Sequence, residues 1–111
     1  MKTLFVLVGL LGFATAGQSQ AATAYVQSTV KFVYPQGDGS FVLGFVSDAG
    51  TCSNVNSPKY FYVVAGQNGV TADGLRAMLA TALTAFATGS MLAAAFDDAT
   101  ANCYINRISV Q

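Results

Sequence analysis

The two cysteines, Cys52 and Cys103, are the residues of this 111-residue chain whose chemistry is simplest to predict. In an oxidising compartment an isolated pair of cysteines is most simply one disulfide. The bond would join a loop to the last strand, and the chain-entropy model gives roughly 4 kcal/mol for a closed loop of about 50 residues. We therefore expect one disulfide with a structural role.

Side chains for catalysis or metal binding are scarce, because the sequence contains no histidine, no tryptophan and no glutamate. A Ser-His-Asp or Cys-His site is excluded within one chain, and two cysteines without histidine do not make a zinc site. The adjacent carboxylates Asp97 and Asp98 point apart at a strand end, which is poor geometry for shared acid–base work. A solvated turn is the favoured interpretation, with calcium binding and catalysis as alternatives. We expect no enzyme activity and no cofactor.

The five tyrosines are better suited to ligand binding. Tyr60 and Tyr62 share one face of a predicted strand, beside a loop rich in Asn, Ser and Asp. Aromatic rings with nearby amide and hydroxyl groups suit sugars, which present apolar C–H patches and many hydroxyls. The candidate ligand-binding residues are Tyr60, Tyr62, Asn54, Asn56 and Asp48. The alternative is that the tyrosines are half-buried and only cover a strand edge.

The N-terminal residues are typical of a signal peptide. Lys2 precedes an unbroken apolar run over residues 4–13, which is too short to span a bilayer as a helix. Residues 19–21 (Ser-Gln-Ala) fit the small-x-small cleavage rule best, with residues 14–16 and 22–24 as alternatives and an uncleaved anchor as a further one. We assign residues 1–21 to the signal peptide and expect a secreted or periplasmic protein without stable membrane insertion.

The remaining residues, 22–111, are enough for a single small domain. They carry four basic and five acidic side chains, so their net charge is 4 − 5 = −1. Because there is no basic stripe, we do not expect nucleic acid as a partner. A monomer with so few charges would be poorly soluble, and an extensive interface within a homo-oligomer is one way to resolve this.

The pattern of apolar residues predicts five strands and one helix. Period-two alternation and β-branched or aromatic runs indicate strands over residues 24–34, 41–46, 60–65, 91–96 and 103–110. The helix is predicted from Ala72 to Thr88, with Thr71 as the N-cap and Gly89 as the stop.

Two strands carry further detail. In the first strand, strict alternation would place Phe32 and Tyr34 on the same face as Val26 and Val30. In the last strand, Ile105 and Ile108 have opposite parity, so a bulge near residues 106–107 is expected if both face the core. Within the second strand, Gly44 marks a bulge or a bend.

The helix has an apolar stripe formed by Leu75, Leu79, Ala82 and Phe86, which is predicted to face the core. Its opposite face holds small uncharged residues, mainly alanine and threonine. These residues suit close packing against another surface, and the alternative is that alanine is present only for its helix propensity.

The predicted order β-β-β-α-β-β is that of a five-stranded OB-fold-like barrel, mostly β with one helix, here with one disulfide. The run Leu-Arg-Ala-Met-Leu-Ala-Thr-Ala at 75–82, the Ala-Thr-Gly step at 87–89 and the final Cys-Tyr-Ile-Asn-Arg-Ile-Ser-Val strand at 103–110 add a narrower likeness. They resemble small exported bacterial proteins similar to the binding (B) subunits of pentameric A/B toxins of the subtilase-cytotoxin and typhoid-toxin type. The resemblance covers about residues 26–110.

The resemblance implies an OB fold, a homopentameric ring with helices lining its centre, and glycan binding on the outer surface of the ring. The sugar-contacting serine and acidic residues of that family are not placed in this sequence. We therefore expect a secreted, non-catalytic binding protein that acts as a glycan-binding subunit of a homo-oligomeric ring. The alternatives are an exported structural or protein-interaction protein without a sugar ligand and, with least support, an OB-type nucleic-acid binder.

Overall fold

A computed structural model describes residues 23–111, and the signal peptide predicted over residues 1–21 lies outside this range. The described chain contains five strands and one helix in the predicted order β-β-β-α-β-β. The elements are β1 (Thr23–Pro35), β2 (Phe41–Phe45), β3 (Phe61–Val63), α1 (Ala72–Thr88), β4 (Met91–Asp97) and β5 (Ile105–Val110). β3 and β5 are shorter than the sequence predicts.

The strands form one antiparallel sheet in the order β3-β2-β1-β4-β5. β1 is long enough to serve two neighbours, because residues 23–29 pair with β4 and residues 30–35 pair with β2. The two edge strands approach each other where the Tyr62 N–H donates to the Asn102 carbonyl just before β5, at 3.2 Å. The ladders of residues 23–111 do not pair β3 with β5, so the sheet is not closed into a barrel.

The register of β1 against β2 shifts by one residue. Val30 lies opposite Phe45, whereas Phe32 lies opposite Gly44, which leaves Lys31 as an extra residue. Such a β-bulge bends the strand and exchanges the faces of the side chains that follow it.

The prediction that Phe32 and Tyr34 share a face with Val26 and Val30 is therefore wrong. Val26 and Val30 belong to the buried core, and beyond the bulge it is Val33 that packs against the core. Phe32 and Tyr34 lie on the opposite face of the sheet, which we call the outer face. The extra residue at the bulge is the physical reason, because strict alternation ends there.

A buried serine stabilises the bend of β1. The Ser28 hydroxyl donates to the Thr29 carbonyl and accepts from the Ser47 N–H, both at 2.9 Å. The Val46 N–H also donates to the Thr29 carbonyl, at 3.0 Å. The hydroxyl is thus satisfied where β1 changes from one neighbour to the other, as burial of a polar group requires.

The second predicted bulge is confirmed in β5. Ala95 pairs with Arg107 and Phe96 pairs with Ile105, so Asn106 is the extra residue. Ile105 is buried and Ile108 packs against the core despite their opposite parity.

The helix is confirmed with the predicted bounds. The Thr71 hydroxyl accepts from the Gly74 N–H at 3.0 Å, and Gly89 ends the helix in the left-handed conformation at a φ of 71°. Ala85 is buried in place of Phe86, which is 49% exposed, so the predicted apolar stripe is wrong at that position. No helix within residues 23–111 is long and apolar enough to cross a membrane.

Phenylalanines and the predicted disulfide fill the core on the inner side of the sheet. Phe61 makes edge-to-face contacts with Phe45 and Phe96 at centroid distances of 5.2 and 5.0 Å. Cys52 and Cys103 form a buried disulfide with 5.8 Å between their Cα atoms and a sequence separation of 51. The bond therefore joins the loop before β3 to the residues just before β5.

Replacing Cys52 by serine is expected to lower the free energy of unfolding by up to about 4 kcal/mol, because the unfolded chain regains the entropy of an open loop. Denaturant unfolding measured under oxidising conditions tests this. The Cys52→Ser/Cys103→Ser variant and the reduced wild-type protein serve as controls and should show the same loss. An unchanged transition in all three would contradict a stabilising disulfide.

Candidate ligand-binding surface

Five aromatic side chains meet on the outer face of the sheet. Two come from β1, one precedes β3, one lies within β3 and one precedes β5. Together they form what we call the aromatic surface: Phe32, Tyr34, Tyr60, Tyr62 and Tyr104. The predicted pair Tyr60 and Tyr62 is therefore part of a larger cluster.

The rings of the aromatic surface form a continuous series of contacts. Phe32 and Tyr34 are stacked, with 4.2 Å between centroids and an interplanar angle of 18°. From Tyr34 the series runs to Tyr60 at 5.9 Å, then to Tyr62 at 6.3 Å and finally to Tyr104 at 6.5 Å, in edge-to-face geometry. The three edge-to-face separations lie in the range at which aromatic pairs stabilise one another.

Two small or buried residues of β2 form the floor beneath the rings. Val42 lies in register between Tyr34 and Tyr62 and is only 1% exposed. Gly44 lies opposite Phe32, and a Cβ atom at Gly44 would approach the Phe32 ring to 2.1 Å. Gly44 is thus needed for the Phe32 ring to lie against the strand, which is a typical role of a glycine within a sheet.

The aromatic surface is partly exposed. Tyr34 is 46% exposed and the other four rings are half-buried. Asn102 Nδ2 donates to the Tyr104 hydroxyl at 2.9 Å, whereas the hydroxyls of the other three tyrosines make no hydrogen bond within residues 23–111. The rings therefore cover Val42 and at the same time present apolar area and hydroxyl groups to solvent.

The structure places Asn54 beneath Tyr60. Asn54 is 7% exposed, and its Oδ1 accepts from the N–H groups of Tyr60 and Asn56 at 3.2 and 3.1 Å. Its Nδ2 donates to the Tyr60 carbonyl. Because Asn54 bonds both backbone groups of Tyr60, it fixes the position of that residue.

Asp48 and Asn56 are exposed and contribute to the same loop. Asp48 Oδ1 accepts from the Lys59 N–H at 3.0 Å, and Lys59 Nζ donates to the Asn54 carbonyl at 2.9 Å. Asn56 Nδ2 donates to Asn54 Oδ1 at 3.3 Å. The structure thus brings these predicted ligand-binding residues together, and a direct contact of Asp48 or Asn56 with a ligand stays a prediction.

A cleft of about 330 Å³ lies on the outer face of the other half of the sheet. Tyr25, Ala95 and Arg107 are neighbours in register on β1, β4 and β5, and Tyr25 is 67% exposed. The small Ala95 leaves room between the two larger side chains. Further lining residues are Thr23, Asn68, Phe96 and Asn106.

The cleft is mainly polar and contains a cation. Arg107 makes no ion pair within the described range, and Asp97 lies at the end of the same ladder, opposite Thr23. Asn106 Nδ2 donates to the Asn68 carbonyl at 2.7 Å, and Asn68 Nδ2 donates to the Tyr104 carbonyl at 2.9 Å. This network fixes the wall of the cleft and connects it to the backbone of the aromatic surface.

The carboxylates have structural partners in turns. Asp97 Oδ1 accepts from the Ala99 N–H at 2.8 Å, consistent with a capped turn after β4. In the turn between β1 and β2, hydrogen bonds from the Ser40 hydroxyl and N–H lower the pKa of Asp38. No group of three or more His, Cys, Asp or Glu side chains positioned to hold a metal ion occurs in residues 23–111.

Sequence reasoning missed three members of the aromatic surface. Strict alternation puts Phe32 and Tyr34 on the face of Val26 and Val30, and the sequence gives no partner for Tyr104 in the last strand. Gly44 is the signal that could have located Phe32, because an interior strand glycine often marks a close approach of another group.

Comparisons with protein-family models, with curated proteins and with solved structures found no match to this chain.

Replacing Gly44 by alanine is expected to displace the Phe32 ring and destabilise the protein by about 1–3 kcal/mol through overpacking. Phe32→Ala removes the clash, so the double variant should be more stable than the sum of the two single changes predicts. Chemical denaturation of the four proteins gives the coupling energy, expected at about 0.5–3 kcal/mol. Additive effects would contradict the contact between Gly44 and Phe32.

Proposed function

We propose that this protein is a non-catalytic carbohydrate-binding protein and that it binds sugars through the aromatic surface. The observation that carries the proposal is the continuous series of partly exposed rings from Tyr34 to Tyr104. Three of the tyrosines in it have hydroxyls without a hydrogen-bond partner in residues 23–111.

The chemistry of the surface matches that of sugars. The C–H faces of a pyranose pack on aromatic rings, which bury large apolar areas at little cost in side-chain entropy. Tyrosine hydroxyls both donate and accept, so they can pair with sugar hydroxyls of either orientation. Tyr60 is held at both backbone groups by Asn54, which reduces the entropy lost when a ligand orders the site.

The proposal includes the export and the oligomeric assembly that the sequence predicts. The protein would be exported after cleavage near residue 21, and the disulfide is of the kind found in oxidising compartments. An OB-type barrel and a homo-oligomeric ring, with five subunits as in the toxin B subunits that the sequence resembles, stay predictions. The small residues of the helix support subunit packing, since the hydroxyls of Thr81, Thr84 and Thr88 donate to helix carbonyls and so need no acceptor from solvent.

A second candidate function is protein–protein contact without a sugar ligand. Several apolar side chains on α1, β4 and β5 are exposed: Leu83, Phe86, Met91 and Val110. Single exposed apolar residues are common on monomers. This observation therefore favours protein–protein contact only if the four side chains form one contiguous patch.

The test is binding of the purified, oxidised protein to a broad glycan array, followed by calorimetric titration with the best ligand. Tyr60→Ala and Tyr62→Ala are each expected to weaken binding by about tenfold, because each removes one stacking ring. Phe86→Ala is the matched control, since it removes an exposed aromatic ring outside the aromatic surface and should leave the affinity unchanged.

Two results would contradict the proposal. A folded protein that binds nothing on the array would exclude carbohydrate binding. Binding that survives both tyrosine replacements would exclude the aromatic surface as its site.

A further inference from the structure

We infer that the ligand of the aromatic surface is an uncharged, extended oligosaccharide that reaches from Tyr34 to Tyr104, and that Tyr104 contacts only ligands of sufficient length. This inference rests on the proposed function and adds the class of sugar and the role of one residue. It is argued from the dimensions of the surface, from the charges around it and from the position of Tyr104.

The dimensions of the surface favour an extended ligand. Three successive centroid separations of 5.9, 6.3 and 6.5 Å connect Tyr34, Tyr60, Tyr62 and Tyr104. A pyranose ring is similar in size to a phenol ring, so a monosaccharide covers one ring or two neighbours. Only a chain of several sugars can contact all four tyrosines at once.

The charges around the surface favour a neutral ligand. The Lys59 ammonium group, which donates to the Asn54 carbonyl, and the Asp48 carboxylate, which accepts from the Lys59 N–H, carry opposite charges on one loop, so this loop adds no net charge. Lys31 is exposed beside Phe32 at the bulge, at the end of the surface remote from Tyr104. A single exposed cation contributes little to binding an anion in water.

The cleft on the other half of the sheet, in contrast, favours a negatively charged ligand. There Arg107 is without an ion-pair partner in the described chain, and threonine and asparagine side chains surround it. A sugar with a carboxylate is therefore expected to prefer the cleft, because a guanidinium group pairs with a carboxylate through two parallel hydrogen bonds. The charge of the sugar thus separates the two surfaces experimentally.

Tyr104 occupies the far end of the series of rings. Its hydroxyl accepts from Asn102 and its carbonyl accepts from Asn68, so both ends of the residue are fixed. In the series it contacts only Tyr62. Tyr34 is the most exposed of the four rings, so a short ligand is expected to bind there first. A ligand that starts at Tyr34 reaches Tyr104 only after it has covered Tyr60 and Tyr62.

The experiment uses two matched series of oligosaccharides from one to six units, one of neutral β-1,4-linked glucose and one of β-1,4-linked glucuronic acid, which differ only in the carboxylate at C6. Binding is followed by tyrosine fluorescence, which is free of tryptophan interference in this protein. The proteins are the wild type, Tyr104→Ala, Arg107→Gln in the cleft and the matched control Phe86→Ala. Calorimetry repeats the measurement for the longest ligand of each series.

We expect the affinity for the neutral series to rise with length and then level off. Tyr104→Ala should weaken binding of the neutral hexamer by about threefold to tenfold and leave binding of the dimer unchanged, because only the longer ligand reaches the missing ring. Phe86→Ala should match the wild type at every length. The acidic series should bind the aromatic surface no better than the neutral one.

Each contrary result has a distinct meaning. Affinity that is independent of length, or a Tyr104→Ala effect that is the same at all lengths, overturns the extended ligand but leaves carbohydrate binding in place. Tighter binding of the acidic series that is lost in Tyr104→Ala and retained in Arg107→Gln places an acidic sugar on the aromatic surface and overturns the neutral class. Failure of both series, with no binding on the array, overturns the proposed function itself.

Discussion

β1 belongs to two ladders, and the extra residue Lys31 between them decides which side chains of this strand face the core. Before the bulge, Val26 and Val30 point inward, and after it Val33 does. Without the bulge, Phe32 and Tyr34 would point into a core already filled by the phenylalanines of β2, β3 and β4. The local register of one strand therefore determines whether these rings are buried or form a surface.

A disulfide and several hydrogen bonds link the two edge strands, β3 and β5, of the sheet that β1 organises. The disulfide joins the loop before β3 to the residues before β5, and the Tyr62 N–H bonds the carbonyl of Asn102 close to the same place. The Asn68–Asn106 pair fixes the second bulge against the turn that leads into the helix. Because each of these links connects segments far apart in sequence, each limits independent motion of β3 and β5.

Much of the fold follows from local signals in the sequence. Thr71 and Gly89 determine the helix bounds through capping and the left-handed conformation, and the opposite parity of Ile105 and Ile108 reveals the bulge at Asn106. Two cysteines have one possible pairing within a chain. These features are predictable because each depends on a few neighbouring residues.

The candidate site is less predictable, because its residues are brought together by register. Tyr60 and Tyr62 are recognisable as a pair within one predicted strand. The bulge that turns Phe32 and Tyr34 outward leaves only a weak trace, the apolar Val33 at a position where strict alternation calls for a polar residue. The prediction for Phe86 fails for a similar reason. The apolar stripe of the helix indicates which face packs on the sheet, but it does not indicate how far along the helix that packing extends. Asparagine is a residue type that often binds sugars. Only the burial of Asn54 beneath Tyr60 reveals that it positions Tyr60 instead.

The central claim is that the aromatic surface, exposed by the bulge in β1, is where sugar binds. Intermolecular nuclear Overhauser effects between a bound neutral oligosaccharide and the ring protons of the ¹³C-labelled protein measure this most directly. We predict contacts from sugar C–H groups to Tyr34, Tyr60 and Tyr62, and none to Phe86. Contacts confined to Tyr25 and the cleft beside Arg107 would contradict the claim.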